Sequence, residues 1–139
     1  MAWTREFIGR ELDWIGTDAD GRVGYFSSAG RIAVPDAARL FEDDDVHGDT
    51  LRSCRITGGV DLHDASGRIV GDWLEVARRG FYAFDIHHGG DVYALIASPR
   101  APITASSLPE RVRRYVVVVD LPSLATLTVL DPARWDSRR

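Results

Sequence analysis

Residues 81–98 read FYAFDIHHGGDVYALIAS, two runs of alternating residues on either side of Gly89 and Gly90. This pattern predicts a β-hairpin with a two-residue loop. Such a loop fixes the register, so we expect Phe84 opposite Leu95. The face expected to be buried carries Tyr82, Phe84, Ile86, Tyr93, Leu95 and Ala97. Asp85 and His87 are expected on the opposite, polar face.

A second hairpin is predicted over residues 12–28, because apolar and aromatic residues flank the turn sequence Asp18-Ala19-Asp20-Gly21. Helices are predicted over residues 35–41 and 72–79, and a third is expected to begin at residues 107–110. The first should end in the acidic run at residues 42–45, and the second before Gly80.

The remaining segments are less regular. Residues 47–71 are interrupted by five glycines and predict loops around one short strand near residues 60–62. Residues 116–119 predict a central strand, with residues 127–130 as its candidate partner. We therefore expect a single α+β domain over residues 1–139, with a mainly antiparallel sheet and two to three short helices.

Composition narrows the class of protein. The 139 residues are 45% hydrophobic and carry a net charge of −4, which suits one globular domain rather than a disordered chain. All 17 basic residues are arginine, a bias that indicates a GC-rich bacterial source. Cys54 is the single cysteine, so we expect a reducing, cytoplasmic setting. The N-terminal charges and the shortness of the apolar runs indicate neither a signal peptide nor a membrane span.

The common catalytic and cofactor motifs are missing from the sequence. A P-loop needs a lysine, and the chain has none. No glycine-rich dinucleotide loop or serine nucleophile motif is present either, so no cofactor is predicted. Asp85 and His87 are the one titratable pair that strand geometry brings together, and they form the alternative hypothesis of a small enzyme with an acid–base couple. A polar sheet face that meets water explains the same pair.

Four histidines, at positions 47, 63, 87 and 88, are candidate metal ligands. His87 and His88 are adjacent in a predicted strand, so their side chains should point to opposite faces and cannot share an ion. No metal site is therefore predicted.

Charge is unevenly distributed along the chain. Residues 36–76 hold ten acidic groups and four arginines, whereas residues 77–139 hold six acidic groups and nine arginines. Five carboxylates fall within eight residues: Glu42, Asp43, Asp44, Asp45 and Asp49. This density repels itself unless it is solvated or faces a cation, so it indicates a solvated helix end or a contact surface for a basic protein. Nucleic-acid binding is not expected of an acidic chain.

Residues 13–30, Val34-Pro35, residues 79–85 and residues 107–109 resemble a group of small bacterial proteins that share an aspartate-tryptophan strand, an Asp-x-x-Gly turn and an aromatic-serine-glycine strand. Small acidic proteins of this sort resemble the immunity proteins that neutralise toxins in bacterial competition. The resemblance implies a toxin-neutralising, protein-binding module and assigns no active-site residue. The hypotheses from sequence are thus such a module, with the five carboxylates as its partner-binding residues, or the small enzyme at Asp85 and His87.

Overall fold

The computed structural model describes residues 3–64, 66–87 and 90–136. Its strands are β1 (Trp3–Thr4), β2 (Asp13–Thr17), β3 (Val23–Ser27), β4 (Val34–Pro35), β5 (Val60–Leu62), β6 (Tyr82–Ile86), β7 (Tyr93–Pro99), β8 (Val116–Val117) and β9 (Val129–Leu130). Its α-helices are α1 (Val46–Ser53), α2 (Gly71–Arg78), α3 (Glu110–Arg113) and α4 (Pro132–Asp136). Two 3-10 helices cover Asp36–Phe41 and Ala105–Ser107.

The main sheet has the order β5-β7-β6-β3-β2-β8, with β9 also paired to β7, while β1 and β4 form a separate pair. Strands β3 and β6 are parallel, as are β2 and β8, and the other pairs are antiparallel. The fold is α+β as predicted, but the sheet is mixed. After β3 the chain passes through α1 and α2 and returns as β6, which runs beside β3 in the same direction. This is the long crossover connection that a pair of parallel strands needs.

The N-terminal hairpin is confirmed. Strands β2 and β3 pair from Asp13 with Ser27 to Thr17 with Val23. Gly21 has a φ of 84°, which is the left-handed conformation expected of that turn position. The carboxylate of Asp18 accepts the backbone N–H of Asp20 and that of Arg22, both at 3.0 Å. A turn aspartate therefore fixes the start of β3.

The 81–98 hairpin has the predicted register at its centre, where Phe84 pairs with Leu95. A register shift between Ala83 and Phe84 then places Ala97 opposite Ala83. Because a bulge inserts one extra residue, the side chains beyond it change face. The prediction that Ala97 shares the face of Phe84 is therefore wrong. His88 and Gly89 of the predicted loop lie outside the described residues.

Both faces of the sheet are covered. One, the aromatic face, stacks Phe26 between Trp14 and Phe84, with ring centroids 4.1 and 4.7 Å apart. The other, the helical face, buries Ala83 and Ala97 in a cluster that also holds Val76 of α2 and Val112 of α3. The face of Asp85 is thus apolar and buried along most of its length.

Helix α2 agrees with the predicted helix over residues 72–79. The first predicted helix is instead a 3-10 helix over Asp36–Phe41, and α1 follows within the stretch expected to be irregular. The acidic run contains a helix start rather than only an end, because the Asp45 side chain accepts the backbone N–H of Gly48 at 2.9 Å. A glycine inside the first turn concealed this helix in the sequence.

The two C-terminal strands form within the predicted residues, but their places in the sheet were predicted incorrectly. Strand β8 lies at an edge of the sheet, not at its centre, and β9 pairs with β7 rather than with β8. With α1 and α4 added, the described residues hold four α-helices, more than the two to three predicted. None of the described helices has the length and apolar character required to cross a bilayer.

Candidate functional site

The acidic run leads into a concave surface at the start of α1. We define the acidic cleft as the hollow of about 170 Å³ lined by Glu11, Leu12, Asp13, Glu42, Asp44, Asp45, Val46 and His47. Five of these eight residues are acidic. The cleft forms because the chain before β2 lies beside the turn between the 3-10 helix and α1. It therefore joins predicted contact residues to acids from a distant part of the sequence.

The rim of the cleft carries ion pairs between exposed or half-buried side chains. The closest contacts are Arg10–Glu42 at 3.0 Å, Arg52–Asp45 at 3.4 Å and Arg114–Asp44 at 3.5 Å. Exposed pairs of this kind contribute about 0–1 kcal/mol each, because water screens them. Asp43 is exposed and has no ion pair within the described part of the chain. The rim carboxylates can thus exchange one arginine for another at little cost.

Asp13 lies deeper in the cleft, where it is the first residue of β2. The Tyr25 hydroxyl donates a hydrogen bond to its Oδ2 at 2.6 Å. The ring of His47 lies edge-on to the Tyr25 ring, with centroids 5.8 Å apart. Its Nε2 is buried and has no hydrogen-bond partner among the described residues. Asp13 is thus a recessed carboxylate with a neutral donor and no arginine bound to it in the described structure.

The electrostatics of Asp13 follow from this placement. Burial raises the pKa of Asp13 above its usual value of 3.8, and the nearby charge of Glu11 adds to the increase. Hydrogen bonds from Tyr25 and Ser27, and the charge of His47, lower the pKa but do not cancel the effect of burial. The pKa of the Tyr25 hydroxyl is also raised, first by burial and then by the charge of Asp13. The cleft therefore concentrates negative charge that the chain leaves incompletely balanced.

Asp49 stands apart from the cleft although it is close to it in sequence. It is 5% exposed, and its Oδ1 accepts Arg52 Nη2 at 2.7 Å and Arg111 Nη2 at 2.8 Å. Its Oδ2 accepts the Tyr115 hydroxyl. These hydrogen bonds, the one from Tyr115 above all, lower the pKa of Asp49 to about 2. Its carboxylate connects α1 to α3 and to Tyr115, the residue before β8. The predicted contact of Asp49 with a partner stays a prediction separate from the cleft.

Asp85 of the enzyme hypothesis belongs to a cluster of ion pairs. Its Oδ2 lies 3.1 Å from Arg68 Nη1, and Arg68 Nε lies 2.7 Å from Asp64 Oδ2. His87 is exposed, and its backbone N–H donates to the carbonyl of Val92 at 3.0 Å. Asp85 and His87 are absent from the linings of five cavities found among the described residues. No observation therefore favours catalysis at this pair.

The candidate metal ligands are dispersed. His63 Nε2 lies 2.7 Å from Ser98 Oγ, and His47 lies in the acidic cleft. Among the described residues, no group of three histidine, cysteine or acidic side chains is placed to hold a metal ion. His88 lies outside those residues.

Sequence reasoning missed Glu11, Asp13 and His47 as members of the site. Asp13 stands at the start of a predicted strand and in the aspartate-tryptophan pair of the resemblance, but neither signal indicates what packs beside it. The segments 11–13 and 42–47 meet only in the folded chain.

The chain matches no family model, and comparisons with curated proteins and with solved structures gave no match.

Proposed function

We propose that this chain is a protein-binding module that receives a basic partner at the acidic cleft, in the manner of an immunity-type protein that neutralises a toxin. The resemblance to immunity proteins supports the toxin-neutralising class of function. The cleft supports binding of a basic partner, because five carboxylates around one hollow attract cations from solution and accept hydrogen bonds from them.

The observation that carries this proposal is that Asp13 lies in the cleft without an arginine bound to it among the described residues. A buried carboxylate is normally paired with a cation inside the protein, as Asp49 is with Arg52 and Arg111. Asp13 is half-buried, and the neighbours that act on its carboxylate among the described residues are the Tyr25 hydroxyl, Ser27, the ring of His47 and the acid Glu11, with no arginine. An arginine or lysine side chain from a partner would complete this arrangement.

The rim ion pairs support the same conclusion. Glu42, Asp44 and Asp45 are already arranged to hold guanidinium groups, since each pairs with an arginine of this chain. Because these pairs are weak, a partner's arginine can replace one of them without a large cost in stability. The recessed carboxylate then favours binding of a further cation, and the rim guides its approach.

The proposal is tested by titrating isotopically labelled protein with a hexa-arginine peptide at low salt and following backbone amide signals by NMR. We expect the largest shifts at residues 11–13 and 42–48. The Asp13→Asn variant should weaken binding about tenfold, which is the loss expected when a charged hydrogen bond is removed.

The control is a comparison with exposed acids elsewhere, Asp20, Asp36 and Asp61. Shifts spread evenly over these residues and the cleft would show unspecific attraction to an acidic protein and would contradict the proposal. Equal affinity of the parent and of Asp13→Asn would contradict the role of Asp13.

A further inference from the structure

A second hollow lies beside the N-terminal segment, away from the acidic cleft. We define the indole cavity as the space of about 420 Å³ lined by Trp3, Arg5, Ala33, Asp91, Val92, Asp131, Pro132 and Ala133. It is formed where the N-terminal segment, the segment entering β7 and the start of α4 meet. Its volume falls within the range of about 300–1,000 Å³ that is typical of sites for small organic ligands.

The wall of this cavity contains an unsatisfied donor. Trp3 is 5% exposed and packs edge-on against Trp14, with ring centroids 5.6 Å apart. The Trp3 Nε1 is buried and has no hydrogen-bond partner among the described residues. By contrast, Trp14 Nε1 donates to the Tyr93 hydroxyl at 3.0 Å. Buried polar groups in proteins are rarely left unpaired, and none of the described residues supplies an acceptor to the Trp3 indole. A ligand in the cavity is one source of that acceptor.

The lining of the cavity also carries charged side chains that can bind a ligand. Arg5 and Asp91 are exposed, and neither has an ion pair within the described part of the chain. Asp131 accepts the backbone N–H of Ala133 at 3.1 Å through Oδ1. Apolar side chains complete the wall between these charges, those of Ala33, Val92 and Pro132. The lining thus offers a cation, two carboxylates and an apolar surface around one space.

We propose that the indole cavity binds a small apolar α-amino acid as its zwitterion. The ligand ammonium is placed against Asp91 and Asp131, and its carboxylate accepts from Arg5 and the Trp3 indole. The side chain of the ligand packs on the apolar wall. A ligand with only one of the two charges would leave the complementary groups of the cavity unpaired, which is how polar sites discriminate between similar molecules. This inference does not depend on the acidic cleft or on the proposed function.

The test uses the indole N–H signals of protein labelled with ¹⁵N. The chain has four tryptophans, so the Trp3 signal is assigned from the spectrum of Trp3→Phe. Titration with L-leucine should move the Trp3 indole signal in a saturable way. Isocaproate lacks the ammonium and isoamylamine lacks the carboxylate, and each should bind at least about tenfold more weakly.

A substitution at the rim separates binding in the cavity from unspecific effects. Asp91→Asn should weaken the affinity for L-leucine several-fold, as expected for an exposed ion pair, and should not weaken that for isocaproate, because only leucine carries an ammonium. Asp36→Asn removes the same charge from an exposed position outside the cavity lining and should leave both affinities unchanged. The inference is wrong if L-leucine at up to about 50 mM gives no saturable shift of the Trp3 indole, since this range would detect even millimolar affinity. It is also wrong if Asp91→Asn binds L-leucine as well as the parent does.

Discussion

Asp13 and Asp49 are two recessed aspartates that differ in one respect. Each accepts a tyrosine hydroxyl, from Tyr25 and Tyr115 respectively. Asp49 also accepts two arginines, and its pKa falls to about 2, whereas burial raises the pKa of Asp13. In Asp49 the hydrogen bond from Tyr115 is the largest cause of the low pKa and the two arginines add to it, whereas in Asp13 the hydrogen bonds from Tyr25 and Ser27 do not cancel the effect of burial. Two arginines bind the aspartate that joins α1 to α3, whereas no arginine among the described residues binds Asp13, where we propose that a partner supplies the cation.

The largest loss of stability should come from a substitution in the aromatic face rather than at either aspartate. The effects of the other variants on the free energy of unfolding should be smaller. Phe84 is fully buried and stacks on Phe26. Phe84→Ala should lower the free energy of unfolding by about 3–5 kcal/mol, because it removes apolar contacts and leaves a cavity. Denaturant unfolding measures this loss. A value below about 1 kcal/mol would show that the face assigned to Phe84 does not form the core.

The two tyrosines should differ when their hydroxyls are removed. Tyr115→Phe should cost about 1 kcal/mol, because it removes a hydrogen bond to an ionised carboxylate that is already part of the fold. Tyr25→Phe should cost less, since Asp13 is only half-buried and water can replace the lost donor. Thermal or denaturant melts of the two matched variants give the comparison. The reverse order would contradict the distinction drawn between the two aspartates.

Acid should reveal the contribution of Asp49. Its pKa in the folded protein is about 2, below the ordinary value of 3.8. The stabilisation is therefore complete above the ordinary value and is lost as the pH falls from about 4 towards 2. Arg111→Ala should make this loss smaller, because one of the cations that lower the pKa is removed. Unfolding free energies measured across this pH range test the prediction, and an unchanged slope in the variant would oppose it.

Asp13 should show the opposite sign and the smallest effect on stability. Because its pKa is raised in the folded protein, ionisation costs stability as the pH rises through that pKa. Asp13→Asn keeps an acceptor for Tyr25 and removes the charge, so it should be slightly more stable than the parent at neutral pH. The gain should disappear below about pH 3.8, where Asp13 is protonated in both states. A destabilised variant at neutral pH would show that Asp13 serves the fold.

The sequence predicted the two hairpins, because their pairing depends on local patterns of residues. Alternation around residues 81–98 gave the pairing of Phe84 with Leu95, and the turn residues gave the first hairpin. The predicted face of Ala97 was wrong, because the bulge between the two strands depends on their packing in the folded protein and not on local alternation. Sequence reasoning also failed for α1, because Gly48 and the run of acids suggest a loop when the packing against α3 is unknown.

The candidate site was predicted in part. The acidic run pointed to residues 42–45, but it also grouped Asp49 with them, since nothing local shows that Arg111 and Tyr115 pack beside it. Asp13 was missed for the same reason, because only the fold brings β2 beside the start of α1. Long-range contacts decide which carboxylates are exposed and which are neutralised.

The most direct test of the cleft is the association rate of a fluorescent hexa-arginine peptide, measured by stopped flow at several salt concentrations. The cleft variant combines Asp44→Asn and Asp45→Asn in the cleft lining with Asp43→Asn, which lies beside the cleft in the acidic run. Asparagine is as good an N-cap residue as aspartate, so Asp45→Asn should leave the start of α1 capped. The control variant combines Asp20→Asn, Asp36→Asn and Asp61→Asn. Each set removes three charges, two from acids paired with arginine and one from an acid without an ion pair in the described chain.

Electrostatic attraction accelerates encounter, and screening shortens from about 30 Å at 0.01 M salt to about 8 Å at 0.15 M. At low salt, the cleft variant should associate several times more slowly than the control variant. As salt is added, the rate of the parent should fall towards that of the cleft variant. Equal rates for the two folded variants at low salt would show that net charge alone attracts the peptide and would contradict a binding role for the acidic cleft.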